Sequence, residues 1–296
     1  MTSVIDATAT PAVISTPIPS PTPPPTRLRP VLWVVGWVLA GIGLMLLLFA
    51  GYLYGLSAQQ QHRSQTLLYA DLRGQFAQAT APVGAPLAQG KPMAYMEIPS
   101  IGLHQVVVEG SSSGDLTKGP GHRPDSAWPG QPGVSVIAGK RATFGGPFGR
   151  VGRLQLNAPI YVTTGQGRAT YTVSDVRRSD QESGPLISPN RLVLVTAASP
   201  MAPQHTILVT AILKGMPQPS GARGALSSDE RTLVGDSSAA LPLALWGQLL
   251  LVAVALTVWL ALTWRKLPTY LVAAPVLIAL LWNVFENASR LLPNLV

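Results

Sequence analysis

The chain has 296 residues, of which 47% are hydrophobic and only 11% are charged, and its formal net charge is +8. This composition is too apolar for an ordinary soluble protein, so part of the chain is expected to lie in lipid. The sequence contains no cysteine, which excludes disulfides, thiolate metal sites and a thiol nucleophile. Its histidines are far apart and show no metal-ligand spacing, so we predict neither a metal nor a cofactor.

The N-terminal part reads as a tail followed by an anchor. Residues 1–30 are rich in Pro, Thr and Ser and are predicted to be a disordered cytoplasmic tail. Residues 31–56 are apolar and, at about 1.5 Å per residue, long enough to cross a hydrocarbon core of about 30 Å as transmembrane helix 1. No cleavage pattern follows, so the anchor is expected to stay. Arg27 and Arg29 precede it, which favours a cytoplasmic N terminus.

Residues 57–93 are predicted to be a helical stalk and a linker. Leu68, Leu72 and Phe76 stand four residues apart with polar residues between them, which is typical of one face of a helix. Prolines then become frequent, and they predict a linker that ends at residue 93.

Residues 94–215 are predicted to be a β domain outside the cytoplasm. Short β-like runs are separated here by Gly and Pro, and Gly165-Gln166-Gly167 indicates a hairpin turn. This density of strands predicts an all-β closed barrel or a sandwich. The candidate strands are Tyr95 to Ile98, Gln105 to Glu109, Val134 to Ala138, Ile160 to Thr164, Ala169 to Val176, Arg191 to Ala197 and Thr206 to Leu213.

Two further apolar segments follow a predicted flexible linker, residues 216–240. Residues 241–264 are expected to be transmembrane helix 2, and residues 269–288 are either a third transmembrane helix or a re-entrant or interfacial segment, because Pro275 interrupts them. The basic pair that begins at Arg265 should be cytoplasmic. The prediction is therefore a multi-pass protein of the cell membrane, with transmembrane helices on both sides of an extracellular β domain.

The strand region resembles a sortase domain from Met96 to about Lys214, and is closest in character to the class E sortases of actinobacteria. Sortases are extracytoplasmic cysteine transpeptidases of Gram-positive bacteria that have an eight-stranded barrel and join proteins to the cell wall or into pili. The resemblance therefore implies a sortase-like barrel of about seven to eight strands at the cell envelope. It rests on the segments Met96 to Leu103, Val106 to Gly110, Leu116 to His122, Pro129 to Gly133, Val136 to Arg141, Phe144 to Phe148 and Leu192 to Thr196.

The family mechanism uses a cysteine nucleophile, a histidine and an arginine that stabilises the oxyanion, and all three are absent from the matching positions. Lys140 stands where the histidine belongs, Ala198 or, with a one-residue slip, Ala197 stands where the cysteine belongs, and the strand that should open with the arginine opens at Thr206. Without nucleophile, base and oxyanion donor, we predict a protein inactive as a cysteine transpeptidase.

Ser199 and Lys140 leave a second chemistry open. A lysine with a lowered pKa can activate a serine, so the pair would suit a serine-type hydrolase or acyltransferase. The alternative is that Ser199 is a turn residue and that Lys140 is solvated beside Arg141. His122 and His205 are expected to be structural or on the surface.

Without cysteine chemistry, the domain is expected to be a binding or partner module. The predicted groove consists of Lys140, Arg141, Thr196, Ser199 and His205. Candidate partners besides the lipid bilayer are another envelope protein, a peptide or a cell-wall ligand, and a purely structural spacer role also remains open. Nucleic acid is not expected, because the basic residues are scattered.

Overall fold

The computed structural model describes residues 28–84, 86–181, 188–199, 205–226, 235–263, 266–293 and 295. The predicted disordered tail lies almost entirely outside the described residues, as do part of the flexible linker and Arg265. The chain divides into two units, residues 1–46 and 47–296. The described part of the first unit is apolar helix, in which the rings of Trp33 and Trp37 meet edge to face at 5.8 Å.

In the part of the chain that the structure describes, three helical segments are long and apolar enough to cross a membrane: Val35–Ala77, Ser237–Thr263 and Pro268–Arg290. The third apolar segment, whose form the sequence left open, is one continuous helix with Pro275 inside it. The helices are α1 (Leu28–Gly51), a π-helical turn (Tyr52–Leu56), α2 (Ser57–Ala77), the short α3 (Ser113–Leu116), α4 (Ala240–Thr263) and α5 (Lys266–Arg290).

All seven predicted strands form, and an eighth joins them. The strands are β1 (Pro92–Ile98), β2 (Leu103–Glu109), β3 (Gly121–His122), β4 (Val134–Ala138), β5 (Pro159–Thr164), β6 (Gly167–Arg178), β7 (Arg191–Ala197) and β8 (Thr206–Lys214). The predicted hairpin is confirmed, since Thr164 pairs with Gly167 across the turn. Strand β3 escaped prediction because two residues are too few to show an alternation.

The strands close into a barrel in the order β1-β2-β3-β4-β7-β8-β6-β5. The predicted barrel is therefore confirmed over the sandwich. Most neighbours are antiparallel, but β2 with β3 and β4 with β7 are parallel. Because parallel strands end at the same edge of a sheet, the carboxyl ends of β4 and β7 lie side by side.

The barrel interior is filled by the alternate residues of each strand. Along β6, Ala169, Tyr171 and Val173 are buried while the residues between them are partly exposed, and β7 alternates in the same way. Successive side chains of a strand point to opposite faces of the sheet, so alternate residues face the interior. One contiguous apolar core results, to which nearly every strand contributes.

Helix α2, predicted as a stalk, lies against the barrel. The side-chain amide of Gln65 donates to the backbone carbonyls of Val106 (3.0 Å) and Lys118 (2.9 Å), and its oxygen accepts from the Val106 N–H at 2.7 Å. Gln61 is 4% exposed and donates to Gln105 at 2.9 Å. Two glutamines thus satisfy polar groups of β2 and the following loop that would otherwise lack partners.

The described residues 216–226 after β8 have no helix or strand but follow the barrel surface. The backbone N–H groups of Gln218, Ala222 and Gly224 each donate to a barrel-side carbonyl at 2.8 Å. The flexibility predicted for residues 216–240 stays a prediction.

The barrel also contacts the helical part of the second unit. Helices α4 and α5 form an antiparallel pair, and the Asp236 N–H donates to the Arg290 carbonyl at 2.8 Å where the pair meets the barrel. Phe144, in the loop after β4, is buried among Tyr52, Leu53 and α5 residues. The loop that leads out of β4 is therefore held against the barrel-side end of the helices.

Candidate binding cleft

Three chain segments meet at the edge where β4 and β7 end: residues 138–141, 195–199 and 205–206. We call this place the cleft. The Gly139 N–H donates to the Val195 carbonyl at 3.0 Å, and the Thr196 hydroxyl donates to the Gly139 carbonyl at 2.9 Å. The Ala198 N–H donates to the His205 carbonyl at 2.7 Å. The positions singled out in the sequence thus come together at one end of the barrel.

The end of β7 carries methyl groups. Ala197 is fully buried and faces Thr206, the first residue of β8, in the strand register. Ala198 follows and is half-buried, as is Thr206. An alanine side chain can neither attack a carbonyl nor donate a proton, so this strand end offers an apolar surface.

Lys140 is buried in the cleft, with only 1% of its surface exposed, so the interpretation of Lys140 as solvated is wrong. The ring of Phe148 lies so close to Gly139 that a Cβ there would be 2.6 Å from it, and the Lys140 Nζ is 5.6 Å from the centre of the Phe144 ring. These aromatic rings of the following loop exclude water. Burial lowers the pKa of Lys140 from its ordinary 10.5 to about 7.

Arg141 connects two of the segments that form the cleft. Its guanidinium donates to the Ala197 carbonyl at 3.1 Å, which ties the segment after β4 to the end of β7. Its backbone N–H points to a different partner, the carbonyl of Leu295, at 3.2 Å. Arg141 is half-buried and thus contributes structure and a backbone donor at this edge.

Ser199 and His205 are the described residues nearest to each other in sequence on the two sides of the segment 200–204. Ser199 is half-buried and follows Ala198 directly, whereas His205 is exposed and contributes its carbonyl to the Ala198 N–H. Residues 200–204 between them lie outside the described part of the chain. The structure thus places Ser199 and Lys140 at the ends of adjacent strands, and their chemical role stays a prediction.

A second polar group, away from the cleft, has the outline of a catalytic triad. The Nδ1 of His122 is 2.9 Å from a Glu109 carboxylate oxygen, and its Nε2 is 3.0 Å from both the Ser126 hydroxyl and the Ala127 carbonyl. A carbonyl only accepts, so Nε2 carries a hydrogen and cannot take the serine proton. The Ser126 hydroxyl donates to the Arg123 carbonyl at 2.7 Å.

This group is therefore structural, as expected for His122. All three side chains are nearly inaccessible, at 0 to 8% exposed. The group joins the ends of β2 and β3 to the loop before β4. Among the described residues, no three His, Asp or Glu side chains are placed to hold a metal ion.

The segment after α5 enters the cleft, which the sequence did not indicate. Leu295 is 3% exposed and packs with Leu116, Ala138 and Ala197. The only sequence signal is the pair Leu291-Leu292 after Arg290, which is too short to predict a contact with a strand 100 positions earlier.

The fold and cleft together define a class: a closed eight-stranded barrel joined to candidate membrane helices, with a cleft where a parallel strand pair ends. Residues 96–214 match the family model of the sortase domain. The barrel region of the chain is therefore similar to the sortase domain.

The chain is also similar to sortases among curated proteins and solved structures. The chain is 31% identical over 99 residues to sortase D of Bacillus subtilis (strain 168), a match that covers 33% of the chain, and it spans about half (48%) of that relative. It is also similar to a sortase D5 transpeptidase of Clostridium perfringens, with 21% identity, a TM-score of 0.43, and coverage of 52% of this chain and 99% of that one. Sortase E of Streptomyces avermitilis has 29% identity, a TM-score of 0.38, and coverage of 45% and 97%.

Proposed function

We propose that the chain is a membrane-anchored sortase-fold binding module that performs no cysteine transpeptidation. The observation that carries this proposal is the end of β7, where Ala197 and Ala198 occupy the place of a nucleophile in a chain without any cysteine. The module would face the outside of the cell envelope, with the N terminus in the cytoplasm.

The positions that match the family's histidine and arginine also lack residues suited to those roles. Lys140 is a buried amine in place of the histidine, and Thr206 has no positive charge with which to stabilise an oxyanion. Loss of one oxyanion donor alone costs about 10²–10³ in rate, and no thiolate is present to begin the reaction. The cleft therefore lacks all three groups that the family mechanism uses.

An extended peptide from another envelope protein is the ligand that best fits this cleft. The Arg141 N–H already donates to a peptide carbonyl, that of Leu295, and Ala138 and Ala197 give an apolar surface beside it. Backbone donors at a strand end together with an apolar pocket are how many domains hold extended chains.

The proposed orientation is supported by aromatic residues at the barrel-side end of the helices. Phe49, Tyr52, Trp282 and Phe285 contact one another there, with ring centres 5.2–6.5 Å apart. Aromatic residues concentrate at both membrane–water interfaces, so the cluster is consistent with an interface at this end of the helices. The sequence pair Arg265-Lys266, at the start of α5, favours a cytoplasmic location for the opposite end and therefore a barrel outside the cytoplasm.

Photocrosslinking from the cleft tests the binding function. A photoreactive residue at position 205, exposed at the cleft rim, should capture one reproducible envelope protein through a single extended segment. The matched control is position 216, which is 93% exposed beyond the far end of β8. Capture at 205 that does not exceed capture at 216 would contradict the proposal.

A serine-type hydrolase or acyltransferase is the second candidate, because the burial of Lys140 supplies the lowered pKa that a Ser–Lys pair needs. A serine-reactive probe should label the full chain if this candidate holds, and labelling should vanish in Ser199→Ala and Lys140→Met. Ser174→Ala serves as the control, since that half-buried serine lies on β6. Unlabelled wild-type protein would exclude this candidate.

A further inference from the structure

The segment after α5 is bound to the barrel by its backbone. The Ser113 hydroxyl of α3 donates to the Leu292 carbonyl at 3.3 Å, and the Arg141 N–H donates to the Leu295 carbonyl at 3.2 Å. Pro293, between these two points, is exposed. The described residues 291–293 and 295 therefore lead from the end of α5 to the cleft, where Leu295 contacts the barrel.

Leu295 covers the place of the missing nucleophile. Its side chain is 3% exposed and packs against Ala197 at the end of β7, Ala138 at the end of β4 and Leu116 in α3. Two of these three partners are alanines, whose small side chains leave room for a leucine. Ala197, one of the two alanines that stand in place of the nucleophile, therefore also forms part of an apolar pocket.

The same segment is continuous with the membrane-side cluster. Leu292 packs against the cluster of Tyr52, Leu53, Phe144, Val284 and Phe285, and the last turn of α5 leads directly into it. The position of Leu295 in the cleft is therefore tied to the position of α5. A displacement of α5 relative to the barrel would withdraw the segment.

We propose that Leu295 is a built-in occupant of the cleft, so that an external peptide binds only when it displaces Leu295. This inference rests on the proposed binding function and adds its regulation: the end of α5 controls access to the site. An external ligand is accordingly expected to carry a leucine-sized apolar side chain at the position of Leu295.

The absence of cysteine allows a direct test of the occupied cleft. Leu295→Cys and, as the matched control, Pro293→Cys are made separately in the full chain in nanodiscs and reacted with a maleimide. Burial predicts that residue 295 reacts about tenfold or more slowly than the exposed residue 293. Equal rates in protein with a wild-type unfolding temperature would overturn the inference.

Competition provides the second test. A fluorescent peptide of residues 289–296 should bind the full-length Leu295→Asp variant about 10- to 100-fold more tightly than the wild type, because a charged side chain leaves the apolar pocket. Met216→Asp, an exposed position beyond β8, should bind as the wild type does. Equal affinity in wild type and Leu295→Asp would overturn the inference.

The two proposals fail in different ways. Slow labelling of residue 295 together with no peptide binding by Leu295→Asp would contradict the binding function and retain the occupied cleft. Equal labelling of residues 293 and 295 together with a peptide that binds wild type and variant alike would contradict the occupant and retain the binding function.

Discussion

The barrel contains two polar sites that invite opposite interpretations. The group of Glu109, His122 and Ser126 has the outline of a catalytic triad, yet its hydrogen bonds are committed to the backbone and it is sealed from solvent. The cleft lies where the sortase resemblance predicts the catalytic residues, yet its strand end carries Ala197, against which Leu295 packs. The buried group has residue types that occur in catalytic triads but is closed to solvent. The cleft has the position that the resemblance predicts for an active site but lacks the catalytic residues.

This difference shows that neither residue type nor position is sufficient to indicate activity. A hydroxyl acts as a nucleophile only if its proton can leave for a base, and the Ser126 proton is directed to the Arg123 carbonyl. A cleft catalyses only if a reactive group lies at its centre. Each site is therefore defined by its hydrogen bonds and burial.

The largest expected loss of stability comes from removing one side chain of the buried group of Glu109, His122 and Ser126. Glu109→Ala leaves the buried Nδ1 of His122, which is 0% exposed, without its hydrogen-bond partner, at a cost of about 1–3 kcal/mol, or more where a charged group is involved. Thermal unfolding of the full chain should show this loss. Glu97→Ala is the control, because its ion pairs with His104 and Arg168 are partly exposed and worth about 0–1 kcal/mol. Equal losses in the two variants would contradict a structural role for the buried group.

The next effect concerns the pH dependence of the free energy of unfolding, to which the buried Lys140 contributes. The pKa of Lys140 is about 7 in the folded chain, below its ordinary 10.5, so between these pH values the unfolded chain holds a proton that the folded chain has released. Stability should therefore rise with pH across this window, by about 1.4 kcal/mol per unit of pKa shift at most. Below pH 7 both states are protonated, and the folded state bears the full cost of the buried charge.

Lys140→Met should remove this rise and stabilise the chain at pH 7 and below. The measurement is the unfolding temperature of the full chain from pH 6 to 10. Lys214→Met, at the exposed end of β8, should retain the wild-type pH dependence. An unchanged slope in Lys140→Met would show that the amine is not buried.

A smaller effect is expected from the polar contact between α2 and β2. Gln65→Ala removes three hydrogen bonds and leaves backbone groups of Val106 and Lys118 without a partner, at a cost of about 1–3 kcal/mol. Hydrogen exchange should accelerate at the Val106 amide. The exposed Gln59→Ala should leave the exchange rate unchanged, and equal rates in both variants would contradict the docking of α2 on the barrel.

The sequence predicted the barrel well because its information is local. Short β-like runs between Gly and Pro located seven strands, and β4 and β7 have the predicted bounds of Val134–Ala138 and Arg191–Ala197. The assignment of the catalytic positions from short motifs at the strand ends stays a prediction, although these positions do lie together in the cleft. Strand β3 was missed because its two residues are defined by their neighbours.

The cleft was predicted less well because its properties depend on distant residues. Lys140 is buried by Phe148 and by Phe144, which is itself held by the helices, and no pattern around position 140 shows this. Leu295 meets Ala197 from a segment almost 100 residues later. Burial and occupancy of a site arise from packing between remote segments, which local periodicity does not record.

The central claim is that the cleft binds a peptide without reacting with it. The most direct measurement follows one sample by fluorescence anisotropy and intact mass: the full-length Leu295→Asp variant with the peptide of residues 289–296. We predict saturable binding, a peptide that stays at full length and a protein of unchanged mass. A cleaved peptide, or an acyl adduct on the protein that disappears in Ser199→Ala, would contradict the account.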